Sequence, residues 1–171
     1  YQPIGAILVS KKIDDAIANG SGFFQHGHTY QGHATACAAA LATQRTIRER
    51  DLLANVVRQG ELLADGLRER FGQHPFVGDI RGRGLFRGLE LVADRETKEP
   101  FDPARKINAK IKKAAFARGL MAYPMGGTID GVRGDHVLFA PPFIVTGDDV
   151  ARIVDLFELA MNDVFTAEGL L

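Results

Sequence analysis

The spacing of apolar residues predicts one strand and three helices in the first 71 residues of the chain. Residues 4–9, IGAILV, form a continuous apolar run, which is typical of a strand buried on both faces of an α/β sheet. Residues 11–18 fit two helical turns that stop at an Asn-Gly pair. The Ala-rich stretch 34–48 favours a second helix, and an apolar stripe at helical spacing predicts a third over 52–71.

The pattern changes after residue 72 and indicates a separate α+β portion. Residues 77–92 combine β-type alternation with glycines, which predicts two short strands joined by a turn or bulge. Two amphipathic helices are expected, over 104–118 and 146–166, the second with Thr146 or Asp148 as its N-cap. Strands are expected at 120–124 and 136–140, on either side of a Gly-rich loop at 126–134.

Composition narrows the classes of partner. Lys plus Arg and Asp plus Glu both number 21, so the charge balance favours neither nucleic acid nor an anionic membrane. The single Cys excludes an internal disulfide and favours a reducing compartment, which predicts a cytoplasmic protein. No apolar stretch approaches the roughly 20 residues of a spanning helix. The chain lacks an initiator Met and opens on an apolar run, so we expect it to be part of a longer protein.

The loop between the first two predicted helices is the first candidate site. It reads Gly27-His28-Thr29-Tyr30-Gln31-Gly32, a hydroxyl side chain flanked by glycines. Backbone N–H groups in such loops bind anions, so a phosphate site is one interpretation. The alternative is that Thr29 only caps the helix that begins near His33.

Four side chains in and near this loop are of the types that bind zinc. His26, His28 and His33 lie close in sequence, and Cys37 follows His33 at a spacing of four, on the same helix face. The spacing matches no common structural zinc motif, and Cys37 lies among alanines, where a small packed residue is expected. We therefore predict no metal site here.

Glycines and arginines in the second portion offer further candidates. The glycines of 82–88 do not precede a helix, so a hairpin or bulge is expected and not a dinucleotide loop. Arg81, Arg83 and Arg87 would bind an anion if they shared a face, but are more often solvated or paired with residues such as Glu90. Arg133, in the loop between two predicted strands, is a candidate for binding a substrate carboxylate.

Six pieces of the chain, taken in order, resemble the motifs of class III aminotransferases, which depend on pyridoxal phosphate. They are YQPIGA (1–6), HGHTYQGH (26–33), CAAALA (37–42), RGRGL (81–85), GLEL (88–91) and FAPPFIVT (139–146). Their spread from the first residue to the final helix makes the resemblance specific, which no single piece would.

The resemblance implies an α/β protein, the C-terminal portion of a pyridoxal-phosphate-dependent transferase of fold type I. Residues 1–60 would form the end of the large domain, and residues 61–171 the small α+β C-terminal domain. The enzyme would be a homodimer that transfers an amino group between an amine or amino acid and a keto acid. Thr29 and His28 would be cofactor-binding residues, with Thr29 on the phosphate of the cofactor held by the other subunit.

The resemblance also implies what this chain does not supply. The family's Schiff-base lysine precedes the tyrosine that corresponds to Tyr1, and the aspartate and the aromatic residue that hold the cofactor ring also lie upstream. The chain alone is therefore expected to be inactive and to need the N-terminal half or a dimer mate. Leu138 stands where ornithine-type members carry a carboxylate-binding Arg, so Arg133 is hypothesised to take that role.

Two other interpretations stay open. A chain without the catalytic lysine could act as a non-catalytic interaction module, such as a truncated paralogue that pairs with intact subunits. A small zinc-binding domain built on His26, His28 and His33 is the other alternative, and it requires bound metal. Racemases, decarboxylases and mutases also share the implied fold.

Overall fold

The computed structural model describes residues 2–171, so Tyr1 and its part in the YQPIGA motif lie outside the described residues. The chain divides into two compact units, of which the first ends at Arg50 and the second runs from Asp51 to Leu171. Among residues 2–171, no helix is long and apolar enough to cross a membrane.

The first unit contains two helices that match their predicted positions. Helix α1 spans Lys11–Asn19 and ends at Gly20, whose amide donates to the carbonyls of Ala16 and Ile17. Helix α2 spans Ala34–Glu49. Both predictions are confirmed because their signals are local: a glycine stop for α1 and strong helix formers in α2.

The predicted buried strand over residues 4–9 is wrong. These residues have no regular secondary structure, and the side chains of Ile7 and Leu8 are 81% and 91% exposed. A strand is stable only when neighbouring strands take its backbone hydrogen bonds. The described residues of this unit include no other strand that could pair with it.

The second unit is an α+β domain built on one antiparallel sheet. Its elements are α3 (Leu52–Phe71), β1 (Val77–Arg83), β2 (Phe86–Leu91), a 3-10 turn (Pro103–Arg105), α4 (Ile107–Ala117), β3 (Tyr123–Gly126), β4 (Asp135–Phe139) and α5 (Gly147–Ala167). The strands lie in the order β1-β2-β4-β3. The predicted hairpin is confirmed, because β1 and β2 pair directly through a turn at Gly84, where φ is +55°.

Alternation along the strands gives the sheet one buried and one outer face. Leu89 and Leu91 of β2 and Val137 and Phe139 of β4 are buried with the helices, whereas intervening residues are more exposed. Aromatic rings fill the core between sheet and helices, among them Phe71, Phe76, Phe101, Phe139, Phe157 and Phe165. A period of two fixes which side chains enter the core.

Thr146, one of the two residues predicted as N-cap, is the N-cap of α5. Its hydroxyl accepts a hydrogen bond from the amide of Asp149 at 3.2 Å, and the Asp149 carboxylate accepts from the Thr146 amide at 3.0 Å. This reciprocal capping box satisfies two backbone donors that the helix itself leaves free.

Candidate functional site

The loop before α2 is folded by consecutive turns. The amide of Gln31 donates to the carbonyl of His28 at 3.0 Å, and the amide of His33 donates to the carbonyl of Tyr30 at 3.1 Å. Gly32 has a φ of +72°, in the region that favours glycine, and it connects the turns to the helix. The sequence therefore brings the loop directly to the N-terminus of α2.

Thr29 is exposed on this loop, and it does not cap α2. The cap is His33, whose Nδ1 accepts a hydrogen bond from the amide of Ala36 at 3.3 Å. Neither the amide nor the hydroxyl of Thr29 bonds to another residue within 2–171. The interpretation of Thr29 as a helix cap is therefore wrong.

His28 contributes to a cavity of about 500 Å³ in the first unit. The walls come from three segments: residues 2–6, the loop from His28 to His33, and the start of α2 at Ala36 and Cys37. Thr29 is not among the lining residues. The two predicted cofactor-binding residues are consecutive in the chain, but of the two only His28 lines the cavity.

Two of the histidines, His26 and His33, make other local contacts. The ring of His26 lies 5.6 Å from that of Phe24, between centroids, and His33 is engaged as the cap of α2. Within residues 2–171, no group of three or more His, Cys, Asp or Glu side chains is placed to hold a metal ion.

The loop fits an anion such as a phosphate. Thr29 presents a hydroxyl and an amide donor, and the positive end of the α2 dipole begins five residues later. The first turn of α2 has no acidic residue that would repel a negative charge. The donors are preformed in turns, so an anion could bind without reorganising the backbone.

Arg133 lies in the second unit, in the turn between β3 and β4. Its Nε donates to Asp130 Oδ2 at 2.8 Å, and its amide donates to Asp130 Oδ1 at 2.7 Å. Hydrogen bonds from the amide and the guanidinium of Arg133 hold the pKa of Asp130 well below its usual range. The predicted carboxylate-binding residue is therefore already paired with a carboxylate from its own turn.

The turn that carries Arg133 is itself hydrogen-bonded. The amide of Ile129 donates to the carbonyl of Arg133 at 3.0 Å, and the amide of Thr128 donates to that of Gly134 at 3.3 Å. At its base, Thr128 Oγ1 and His136 Nδ1 lie 2.7 Å apart. Arg133 thus has a defined backbone position, and its side chain is about half exposed.

The three arginines near the hairpin do not form one anion site. Arg81 is exposed and pairs with Asp79 and Glu90, each at 2.7 Å, so the predicted pairing with Glu90 is confirmed. Arg87 is buried on the opposite face and donates to the carbonyls of Gly82 and Gly60 at 2.7 and 3.1 Å. The sequence gives no sign of this inward arginine, apart from its alternation with Leu89.

Comparisons with known proteins agree with the motifs. A family model described as Aminotransferase class-III matches residues 2–161. An aminotransferase of Gibberella zeae is 47% identical over 155 residues, covering 90% of this chain and 30% of that protein. A diaminobutyrate–2-oxoglutarate transaminase of Halomonas elongata is 35% identical, covering 99% of this chain and 36% of its own length.

Solved structures show the same relationship. A transaminase from directed evolution by ancestral reconstruction superposes with a TM-score of 0.84 at 37% identity, over 95% of this chain and 35% of that one. An amine transaminase from an uncultivated Pseudomonas species, solved in its PLP-bound form, gives 0.79 at 34% identity, over 90% and 34%. The predicted fold class is confirmed, and the chain spans about a third of the length of the proteins it matches.

Proposed function

Because the chain belongs to the class III aminotransferase family, we propose that it forms part of an enzyme that uses pyridoxal phosphate to transfer an amino group between an amine or amino acid and a keto acid. The observation that carries this proposal is the loop before α2, where the amide and hydroxyl of Thr29 bond to no residue within 2–171 and the helix begins five residues later. When bound, pyridoxal phosphate supplies an electrophilic carbonyl and an electron-accepting ring.

The chain's own contribution is to hold the cofactor phosphate. The hydroxyl and amide of Thr29 would donate to the phosphate oxygens, and the α2 dipole would favour the negative charge. The cofactor belongs to a second subunit of a homodimer, which Thr29 reaches across the interface. His28 lies next to Thr29 in sequence and lines the cavity, and in this proposal it also contacts the cofactor.

The chain supplies no catalytic amine. Every lysine side chain within it is exposed, and Lys11 forms ion pairs with Asp14 and Asp15. A nucleophilic lysine works as a neutral amine, which desolvation or a neighbouring cation favours and an exposed carboxylate partner opposes. In this proposal, the catalytic lysine of the complete enzyme comes from outside these 171 residues.

The two portions of the chain have different roles in this enzyme. Residues 1–60 form the end of the cofactor-binding large domain, and residues 61–171 the small C-terminal domain. Large apolar side chains are exposed in the first unit, and contacts with the remaining enzyme and its dimer mate would cover them: Ile4, Ile7, Leu8, Val9, Phe23, Phe24 and Tyr30.

Arg133 binds the carboxylate of acidic substrates in this proposal. A guanidinium that holds Asp130 in the free protein is arranged to hold another carboxylate, because both present the same pair of oxygens. Replacing Asp130 with a substrate carboxylate costs little free energy, because Arg133 and Asp130 are both solvent-exposed. For an amine without a carboxylate, Arg133 stays with Asp130.

The test uses the complete enzyme and the affinity for its cofactor. We expect Thr29→Ala to raise the dissociation constant of pyridoxal phosphate about tenfold or more, since a hydrogen bond to a charged group contributes roughly 1.5–3 kcal/mol. Thr29→Ser should keep most of the affinity. Thr43→Ala is the matched control, because the Thr43 hydroxyl donates to the Ala39 carbonyl of its own helix and to nothing else in residues 2–171. Equal cofactor affinity in Thr29→Ala and Thr43→Ala would contradict the proposal.

A further inference from the structure

Helix α4 and the residues beside it are strongly basic. Residues 103–129 contain six lysines and arginines and no acidic residue, although positive and negative charges balance over the whole chain. The inward side of α4 is apolar, because Ile107, Ile111 and Ala115 are buried in the core of the second unit. The charged side chains of the helix therefore lie on its sides and on its outer face.

Helix α5 neutralises three of the six cations. Glu168 accepts from Arg105 Nη2 at 3.1 Å and also pairs with Lys110. Asp163 accepts from Arg118 Nε and Nη2 at 2.7 and 2.8 Å. These acids therefore bind cations towards both ends of α4, and they leave the middle of its outer face to solvent.

The other three cations have no ion pair in the part of the chain that the structure describes: Lys106, Lys112 and Lys113. All three are exposed. Lys110 lies between Lys106 and Lys113, at helical spacings of four and three, and like charges at these spacings repel one another. Lys112 Nζ is 6.0 Å from the centre of the Tyr123 ring, which is a weak interaction at an exposed site. The positive charge on this side of α4 is therefore only partly compensated.

Large apolar side chains are also exposed towards the C-terminal end of α4. Phe116 follows Lys112 and Lys113 at spacings of four and three, so it lies next to them on the helix surface, and 69% of it is exposed. Met121 comes shortly after the helix and is 87% exposed. Apolar surface bordered by polar groups is typical of sites where a protein binds a partner. The outward side of the helix, which we call the α4 outer face, consists of Lys106, Ala109, Lys112, Lys113 and Phe116.

The chemistry of the α4 outer face favours an acidic polypeptide as its partner. Carboxylates of the partner would compensate the lysines, and an apolar side chain would cover Phe116. An anionic membrane suits the face less well, because a membrane-bound helix inserts a broad apolar face into the lipid. The apolar face of α4 is already buried in the core of the second unit.

We propose that the α4 outer face is a docking site for an acidic segment of another protein. Carboxylates of that segment pair with Lys106, Lys112 and Lys113, and an apolar side chain packs on Phe116. Ala109 has a small side chain among the lysines, which lets the backbone of the segment approach the helix. None of these residues takes part in the proposed transamination, so the inference does not depend on it.

The test is a titration of the isotope-labelled 171-residue chain with a synthetic acidic peptide, followed by amide chemical shifts. The peptide is a helix of about 15 residues, long enough to follow α4 from end to end, with glutamates and leucines on one face. We expect saturable shifts within residues 106–117 and an affinity that falls as salt is added, since salt screens exposed charges.

A control peptide separates charge from apolar contact. The same sequence with glutamine in place of each glutamate should bind about tenfold more weakly, because it keeps the leucines and loses the carboxylates. Equal shifts from the two peptides would overturn the proposal. Shifts confined to the first unit would overturn it as well.

Variants of the chain locate the site on α4. The double substitution Lys112→Gln and Lys113→Gln keeps two good helix formers and should raise the dissociation constant about tenfold. Phe116→Ala also keeps the helix, because the ring is largely exposed, and should weaken binding about fivefold. Lys12→Gln, which replaces an exposed lysine of α1, is the control and should leave the affinity unchanged. Undiminished affinity in the double variant or in Phe116→Ala would refute the site.

The complete enzyme distinguishes the partner from other occupants of the α4 outer face. Fluorescence anisotropy of the labelled acidic peptide should show binding to the complete enzyme, which the Lys112→Gln and Lys113→Gln double variant weakens. Peptide binding to the 171-residue chain but not to the complete enzyme would overturn the proposal, because the rest of the enzyme would then cover the face. Co-sedimentation with phosphatidylserine-rich vesicles, or a changed oligomeric state in the double variant, would also overturn it, in favour of a membrane or a second copy of the chain.

Discussion

Gly60 of α3 and Gly84 of the β1–β2 turn are in direct backbone contact. A Cβ atom placed on Gly60 would lie 2.5 Å from the carbonyl carbon of Gly84, closer than real Cβ contacts allow. The buried guanidinium of Arg87 donates to the Gly60 carbonyl from the β2 side of the same contact. Helix and hairpin are therefore fixed to each other through backbone atoms, with no side chain between them to adjust.

Replacing Gly60 with alanine should destabilise the protein, although alanine favours helices. We expect Gly60→Ala to lower the free energy of unfolding by about 1–3 kcal/mol, because the clash outweighs the ~1 kcal/mol gain in helix propensity. Gly66→Ala in the same helix is the matched control, since the atoms nearest to its Cβ would belong to the Val154 side chain, from 3.3 Å, and a side chain can shift where backbone cannot. Urea unfolding measures both. A Gly60→Ala variant as stable as Gly66→Ala would contradict the close contact.

Removing the capping box at Thr146 should have a smaller effect on stability than the change at Gly60. Thr146→Ala should lower the free energy of unfolding by about 1 kcal/mol, since it leaves the Asp149 amide without its acceptor. Thr146→Ser keeps the hydroxyl and should be close to wild type. Thermal unfolding of the three proteins is the measurement. Equal losses in the Ala and Ser variants would show that the methyl group, and not the cap, matters.

His74 should make stability depend on pH. Burial, with a smaller contribution from the Arg95 charge, lowers the pKa of His74 in the folded protein below its usual value. As the pH falls below about 6.5, the unfolded chain takes up the proton first, so stability falls until the lower folded pKa is passed. Above pH 7 this contribution is fully present.

The variant His74→Asn isolates this contribution. An Asn oxygen can still accept from the Phe76 amide, as His74 Nδ1 does at 3.2 Å, but it does not titrate. Urea unfolding between pH 5 and 8 should show a steeper loss of stability on acidification in the wild type than in His74→Asn. Parallel pH profiles would exclude His74 as the cause.

Arg133 and Asp130 should have opposite effects on the binding of acidic substrates. In the complete enzyme, Arg133→Gln is expected to raise the KM for the keto acid and leave that for an uncharged amine unchanged. Asp130→Asn should lower the KM for the keto acid, because the amide oxygen still accepts from the Val132 and Arg133 amides but no longer competes as a carboxylate. An unchanged keto-acid KM in Arg133→Gln would argue against the assignment.

The isolated 171-residue chain should not catalyse transamination. Its lysines are all exposed, so none is in the desolvated setting that a nucleophilic amine needs. The assay is incubation with pyridoxal phosphate, an amine donor and a keto acid, compared with free pyridoxal phosphate at the same concentration. Turnover above that blank would require a catalytic group within this chain and would contradict the prediction.

Local signals in the sequence determined most of the helices. The stripe over 52–71 gave α3 its observed ends, and Gly20 and Thr146 mark helix boundaries as predicted. The motifs were enough to identify the family, since their order along the chain requires no coordinates. These features depend on residues within a turn or two of each other, which a linear sequence displays directly.

Tertiary structure decided the strands and the faces of the sheet. The strand predicted at 120–124 lies at Tyr123–Gly126, because its pairing with β4 sets its position, and the apolar run 4–9 forms no strand without a neighbour. Only the register shows that Arg87 points into the core while Arg81 and Leu138 lie across Gly88 on the outer face. Strand pairing joins residues that are distant in sequence, so its free energy depends on partners that no local pattern contains.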